Sequence, residues 1–294
     1  MAVKQKILVL NATGKAGSNV CRALKEASFD VYGTTRSQNK NHDRLGIKSV
    51  ICNYTVKSEL EKAFKDTGAK RVFVITDYFG AANSNMDLEI EQGKNAIDAA
   101  KAAGVKHLIF MSVADAECFN DHVRHIRSKL ALETYLKASG VPYSIVRPCA
   151  FFENLDDAKN WNPLKKGKIK FMTEKECKYC ATYDIGRAAA LMFKNPKEWL
   201  EKTLDVIGWK GDLSQIAQAL EKVSGTPVKA SLAMPIFFRK FFFKDLHHMF
   251  IYFENGGPKG EPDEFKKVIP DALSAEEWFK FHGHYANGRK ITPE

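Results

Sequence analysis

The stretch from Lys6 to Val20, KILVLNATGKAGSNV, constrains the chain more than any other. Lys6 to Leu10 is the aliphatic, β-branched run of a buried strand. Asn11-Ala12-Thr13-Gly14-Lys15-Ala16-Gly17 has the glycines of a tight turn. Ser18 to Ala27 then has helical spacing, with Val20, Cys21, Ala23 and Leu24 at its apolar positions. A strand running through a glycine turn into a helix is a cradle for phosphate. Gly14 lets the backbone approach a pyrophosphate, and Gly17 lets the helix pack close to the strand. The first N–H groups of the helix and its positive dipole end then meet the anion. Asn11 stands where such turns usually begin with glycine. Asn tolerates a left-handed backbone better than most residues, so the turn predicts one at position 11.

Asp30 to Thr35, DVYGTT, is a second strand, followed at once by Arg36 and Ser37. In dinucleotide-binding folds an acid at this strand end holds the ribose 2′-hydroxyl of NAD, and an arginine accommodates the 2′-phosphate of NADP. Here the acid is absent and Arg36 is present, with Lys40 and Arg44 nearby, which points to NADP(H). Further strands read at Ser49 to Cys52, Lys70 to Thr76, Val105 to Ser112 and Pro142 to Arg147. Helices read at Lys57 to Phe64, Asp87 to Ala103 and Asp121 to Ala138. This alternation predicts an α/β doubly wound parallel sheet with helices on both faces. Ligands of such sheets sit beyond the carboxyl ends of the strands. Asn11 to Gly17, Arg36, Asn53, Thr76 to Tyr78, Ser112 and Arg147 to Phe152 are therefore expected to ring one crevice.

From Phe151 the rhythm changes. An irregular or helical piece runs from Phe151 to near Trp161, and short strands read at Lys168 to Met172 and Tyr179 to Thr182. A helix capped by Asp184 runs to Lys194. Thr203 to Ile207 reads as a last strand of the main sheet, and Leu213 to Val223 as a helix. Glu261 to Pro270 reads as loop, and Ser274 to Phe281 as a helix with Ser274 and Glu277 in a capping box. The domains expected are thus 1–150 for the dinucleotide, with 184–207 returning to it, and a smaller α+β substrate or partner domain over 151–294. Between them in character stands PIFFRKFFFKDLHHMFIYF, residues 235–253. It predicts a helix packed on the smaller domain and roofing the crevice. Contact with a membrane or a partner protein is the less favoured reading.

Composition narrows the function. The net charge of +10 comes from lysines scattered along the chain. No basic-aromatic RNA module and no helix-turn-helix pattern is present, so nucleic acid is not an expected partner. No apolar run reaches membrane-spanning length, and no secretory leader precedes the first strand. A cytoplasmic protein with six reduced cysteines is expected. Cys177 and Cys180 form one C-x-x-C without the two further ligands of a zinc site, and His282 and His284 read as a solvent-facing tail pair. No metal is expected.

Together these stretches resemble the NmrA-like family, the atypical branch of the short-chain dehydrogenase/reductases. The resemblance spans nearly the whole chain. It rests on NATGKAGSNV at 11–20, TTRS at 34–37, EQGKNAIDAAKAAGVKHLIFMS at 91–112 and SKLALETYLKASGVPYSIVRP at 128–148. FFENL at 151–155, YDIGRAAALMF at 183–193 and the segment Gly211 to Val228 continue it. The FFENL context looks like the animal NADPH-sensor-like members. The resemblance implies a Rossmann domain with a smaller C-terminal substrate domain. It implies cofactor contacts from Asn11, Thr13, Gly14, Lys15, Ala16, Gly17, Arg36, Ser37, Asn53, Thr76, Lys129, Phe152 and Asn154. Members of the larger superfamily use a strand-end Ser, a Tyr, and a Lys four residues after the Tyr. Ser112 and Lys129 match, but His125 occupies the tyrosine position, and Asn53 stands where many members carry an acid. Lys129, His125 and Ser112 are the catalytic candidates. Two functions are implied. One is an NADPH-dependent reductase, slow or narrow, of an apolar carbonyl, quinone or enone. The alternative is a non-catalytic redox sensor in which NADPH controls a regulatory protein partner. A homodimer stays open.

Overall fold

The computed structural model describes residues 4–37, 39–119, 122–155 and 168–281. The segment leading to Trp161, the first position of the expected 121–138 helix, and His282, His284 and the tail lie outside the described residues. In chain order the elements are β1 (Lys6–Val9), α1 (Lys15–Glu26), β2 (Asp30–Thr35), α2 (Lys40–Leu45), β3 (Lys48–Ile51), α3 (Lys57–Thr67), β4 (Arg71–Val74), α4 (Met86–Ala102), β5 (His107–Met111), α5 (Arg124–Ser139) and β6 (Tyr143–Pro148). They continue with β7 (Ala150–Phe151), β8 (Lys168–Phe171), β9 (Cys177–Cys180), α6 (Thr182–Lys194), α7 (Pro196–Trp199), β10 (Thr203–Val206), β11 (Trp209–Gly211), α8 (Leu213–Ser224) and β12 (Lys229–Leu232). The last four are α9 (Ile236–Phe242), α10 (Lys244–Glu254), α11 (Pro262–Lys266) and α12 (Ala275–Phe281).

The chain forms two compact units. The first takes the described residues of Met1–Glu117, Arg124–Arg147 and Ile185–Asp205; the second takes those of Cys118–Val123, Pro148–Asp184 and Val206–Glu294. The first holds a seven-stranded sheet of order β10-β6-β5-β4-β1-β2-β3. Strands β1 to β6 pair in parallel throughout. The order turns back on itself between β1 and β4, the switch point at which such sheets hold ligands. Both faces are covered, which is why β5, HLIFM, is buried at every position. On one face Leu8, Leu10, Val72, Val74, Leu108 and Phe110 pack against Leu60 and Phe64 of α3, Ile97 of α4 and Leu132 and Leu136 of α5. On the other, α1 and α6 approach closely: a Cβ at Gly186 would lie 2.8 Å from the Val20 Cα.

The second unit holds a three-stranded sheet, β11-β9-β7, and a two-stranded parallel ribbon, β12-β8. Its centre is aromatic. Phe152 stacks on Tyr179 (ring centroids 5.5 Å apart) and on Trp278 (5.7 Å). Glu153 is buried beside them, and its carboxylate accepts the Thr182 N–H (3.1 Å), the Thr182 hydroxyl (2.7 Å) and the Trp278 Nε1–H (3.2 Å). This corrects one expectation: helix α6 starts at Thr182, two residues before Asp184. A distant carboxylate satisfies its first N–H, and Asp184, inside the first turn, accepts the Leu273 N–H instead (2.9 Å). The Ser274–Glu277 capping contacts form as the spacing predicts, with both the Ser274 N–H (2.8 Å) and its hydroxyl (2.7 Å) donating to Glu277. Pro262–Lys266, read as loop, makes one short helix with proline in its first turn.

The phenylalanine-rich segment departs furthest from expectation. It breaks at Phe243 into α9 and α10. Phe250 and Phe253 of α10 are buried, but the phenylalanines of α9 face solvent, and Arg239 is its buried residue. The expected packed helix is therefore realised only in α10. An arginine with partners from elsewhere in the unit took the inward position of α9.

Candidate functional site

The site grows from the end of β1. Asn11 has φ 52°, the left-handed backbone expected of it. Its N–H donates to the Thr34 hydroxyl (3.1 Å), tying the turn to β2, and its carbonyl accepts the Gly14 N–H (3.1 Å). Gly14 caps α1 and has no side chain of its own to bond the leading N–H groups of the helix. Gly17 is there for close approach: a Cβ on it would lie 2.0 Å from the Asn11 carbonyl oxygen. At Gly14 the nearest atom to an added Cβ is the Asn11 Oδ1, at 3.2 Å. The asparagine side chain thus lies across the turn.

Beyond the strand ends of this unit opens a crevice of about 410 Å³. Asn11, Thr13, Arg36 and Asn53 line it, together with Tyr54, Thr55, Asp77 and Gly80. The Arg36 side chain is exposed and makes no ion pair among the described residues, so its planar fork of donors is available to an anion. Asn53 Oδ1 accepts from the Thr55 N–H (3.3 Å) and hydroxyl (2.8 Å), and its backbone N–H donates to Glu59 (2.7 Å). Burial, with Asp77 and Glu89 nearby, holds the Tyr54 phenol above its ordinary range, against the pull of Arg36. Asp77 accepts the Gly80 N–H (2.9 Å), and a Cβ at Gly80 would lie 2.2 Å from the Asp77 carboxylate. Ser37 sits just past β2, where its N–H and carbonyl both contact the Thr35 hydroxyl. Gly14, Lys15, Ala16, Gly17, Ser37, Thr76 and Lys129 do not line the crevice.

A second constellation joins α4, α5 and the end of β4. Lys129 Nζ donates to Glu89 Oε1 and to the Thr76 hydroxyl, and lies 3.4 Å from the Thr76 carbonyl oxygen. Glu89 is fully buried, and its other oxygen accepts from the Ser128 hydroxyl. Lys129 and Thr76, each named as a cofactor contact, meet around a carboxylate that spacing did not reveal. The one signal for it is an acid on the inward face of the 86–102 helix. The His125 ring, one turn before Lys129, is half-buried against Tyr78 (5.8 Å between centroids) and Phe79 (5.3 Å).

Ser112 is elsewhere in the unit. It is buried beside Glu133 without a well-formed hydrogen bond. Arg147 grips Glu133 with two parallel bonds of 2.8 Å. Burial alone would raise the Glu133 carboxyl, but the hydrogen-bonded Arg147 guanidinium, with the Ser112 hydroxyl and Lys137 near, draws it below the usual range. Asp205, close by, is pushed up by burial to about 6. Phe152 and Asn154 belong to the second unit, Phe152 inside the aromatic stack and Asn154 exposed. No group of acids, histidines and cysteines among the described residues is arranged to hold a metal.

A strand–turn–helix cradle at a switch point, with an arginine past β2, is also a recurrent family pattern. The NmrA-like family model matches residues 3–279. The chain belongs to the NmrA-like family. It is similar to the photosystem II assembly factor Ycf39 of Guillardia theta, at 26% identity over 247 residues, covering 79% of this chain and 76% of that one. Its fold is like that of the Citrobacter sp. triphenylmethane reductase complexed with NADP(H): TM-score 0.74, 21% identity, 92% of this chain and 98% of that chain. It is also like that of NmrA, a negative transcriptional regulator, in complex with NAD: TM-score 0.71, 19% identity, 94% of each chain. The residues that sequence reasoning passed over are Tyr54, Gly80 and Glu89, whereas Asp77 lines the crevice within the expected Thr76 to Tyr78 stretch. Tyr54 and Gly80 lie in the loops after β3 and β4, where contacts leave no periodic trace.

Proposed function

We propose that this NmrA-like chain binds NADP(H) in the crevice of its first unit and reduces an apolar carbonyl compound, a quinone above all, slowly or over a narrow range. The observation that carries the reading is Arg36, exposed and without an ion-pair partner among the described residues, on the wall of the crevice that begins at the Asn11–Gly17 turn. The fit is physical. The turn brings backbone against backbone at Gly17, and the N-cap of α1 is Gly14, which has no side chain of its own to fill the space before the helix. Thr13 and Asn53 add polar walls. A bound NADPH supplies a hydride. The chain must then deliver a proton to the developing alkoxide of a ketone or aldehyde. His125 stands at the tyrosine position of the larger superfamily, but its ring lies in an aromatic cluster, and Lys129 is held by Glu89. Quinone reduction depends less on a positioned acid, which supports that acceptor. A titration with NADPH and NADH tests the cofactor. Tighter binding of NADPH is expected, with the preference lost by about tenfold or more in Arg36→Asp. Equal affinities in the wild type would overturn it.

The same engagement of Lys129 favours the second reading, an NADPH sensor that governs a protein partner. The similarity of fold to a transcriptional regulator supports it. Steady-state oxidation of NADPH against quinones and aldehydes separates the two. Turnover of quinones supports the reductase, and silence across the panel with intact cofactor binding supports the sensor. Fast aldehyde reduction unaffected by His125→Ala would show that another group donates the proton.

A further inference from the structure

Helix α9 is built inside out. Its buried side chain is Arg239, 1% exposed. The guanidinium donates to the Met172 carbonyl (2.7 Å), to Glu254 Oε1 (3.0 Å) and to His247 Nδ1 (3.3 Å), and it lies 5.2 Å from the centroid of the Phe250 ring. Around it Ile236, Phe237, Phe238, Phe241, Phe242 and Phe243 are exposed, Phe241 and Phe242 to 70% each. An ordinary surface helix does the reverse. Single exposed apolar side chains are common on proteins, but a contiguous group marks a surface that meets something apolar.

The charge around the patch says what that is. From Val228 to Asp245 the chain carries Lys229, Arg239, Lys240 and Lys244 against one carboxylate, Asp245, and with Arg239 buried on Glu254 three exposed lysines are left. The strand beside it, β8, adds Lys168 and Lys170. It is joined to this segment by the Arg239–Met172 bond and by the Ala233 N–H on the Phe171 carbonyl (2.7 Å). In the ribbon Lys168 pairs in register with Lys229, so two like charges sit side by side. Aromatic side chains amid an excess of lysines over acids are the chemistry of a peripheral contact with anionic lipid. The rings enter the boundary between headgroups and acyl chains, and the lysines meet the anionic headgroups. A second copy of the chain fits poorly, because a twofold contact sets the same cations against each other with a single acid of the segment, Asp245, to answer them. No helix among the described residues is long and apolar enough to cross a membrane, so the contact is a surface one.

We infer that α9 and the lysines of the adjoining ribbon form a docking surface for an anionic lipid bilayer. Co-sedimentation of the full chain with vesicles of phosphatidylcholine, with and without phosphatidylserine, tests it. The wild type is expected to pellet with the phosphatidylserine vesicles, far less with phosphatidylcholine alone, and less as salt rises. The double variant Phe241→Ser, Phe242→Ser is expected to lose about tenfold or more in binding. Lys240→Glu with Lys244→Glu is expected to abolish the preference for phosphatidylserine. These side chains are exposed, so both variants should keep the wild-type melting temperature and NADPH affinity, which shows that they are folded. Failure of the wild type to pellet would overturn the inference, as would pelleting unchanged in the phenylalanine variant or indifferent to phosphatidylserine. A wild-type dimer that dissociates in the phenylalanine variant, with no vesicle binding, would assign the patch to a second copy instead.

Discussion

Helices α1 and α9 solve the same problem in opposite ways. In α1 the residues turned inward are Ala16, Gly17, Val20, Cys21, Ala23 and Leu24, and Lys15 and Arg22 face solvent. In α9 the residue turned inward is an arginine, and the phenylalanines face solvent. The first helix is held by area removed from water. The second is held by an ion pair and hydrogen bonds whose partners, Met172, His247 and Glu254, come from other segments. Apolar periodicity therefore reports the core only where apolar area is what anchors the helix.

The comparison can be broken most forcefully at Arg239. Changing Arg239 to Met leaves Glu254 half-desolvated and without its ion-pair partner, and should cost about 3–5 kcal/mol in a urea melt. A loss under about 1 kcal/mol would mean that the apolar contacts of α9 hold it after all. On the other side, Leu24→Ala empties a fully buried position of α1 and should cost about 2–5 kcal/mol.

A buried ring in the first unit sharpens the contrast between neutral and charged burial. His107 is 1% exposed, with Nε2 2.7 Å from the Ser144 hydroxyl. Burial, helped by Arg71, pushes its pKa from 6.5 to about 4. The unfolded chain takes up this proton near its ordinary value and the folded chain resists until about 4. Stability from this group is therefore full at neutral pH and falls as pH drops from 6.5 towards 4, by about 3 kcal/mol in all. His107→Gln should be less stable than the wild type at pH 7, with the gap closing towards pH 4. A gap that stays constant over that range would mean that the ring is not kept neutral. The smallest effect belongs to α9 itself. Phe241→Ser should change stability by no more than about 0.5 kcal/mol despite removing an aromatic ring, because that ring is already in water.

Much of the first unit was legible because its signals are local. A parallel sheet covered on both faces needs unbroken apolar strands, and VKHLIFMS and KRVFVIT supply them. A turn that must pass a left-handed residue selects Asn11, and a helix start pressed on a carbonyl oxygen selects Gly17. Arg36 was legible by its place after β2. The surroundings of Lys129 and Ser112 were not. Lys129 and Ser112 were expected together on the strength of a family pattern, yet Lys129 is engaged by Glu89, forty residues away in sequence, and Ser112 faces Glu133. Glu89 reads as one more acid on a helix until α4 and α5 pack and close water off from it.

By itself, then, the amino-acid sequence determined the alternation of strands and helices, the glycine turn after β1 and the arginine past β2, because each depends on neighbours within a few residues. Only the tertiary structure decided that Glu89 would neutralise Lys129, that Glu153 would start α6, and that α9 would put its charge inside. Each of those outcomes is a contest between burying a polar group and pairing it. The winner depends on partners that the chain brings together only when it folds.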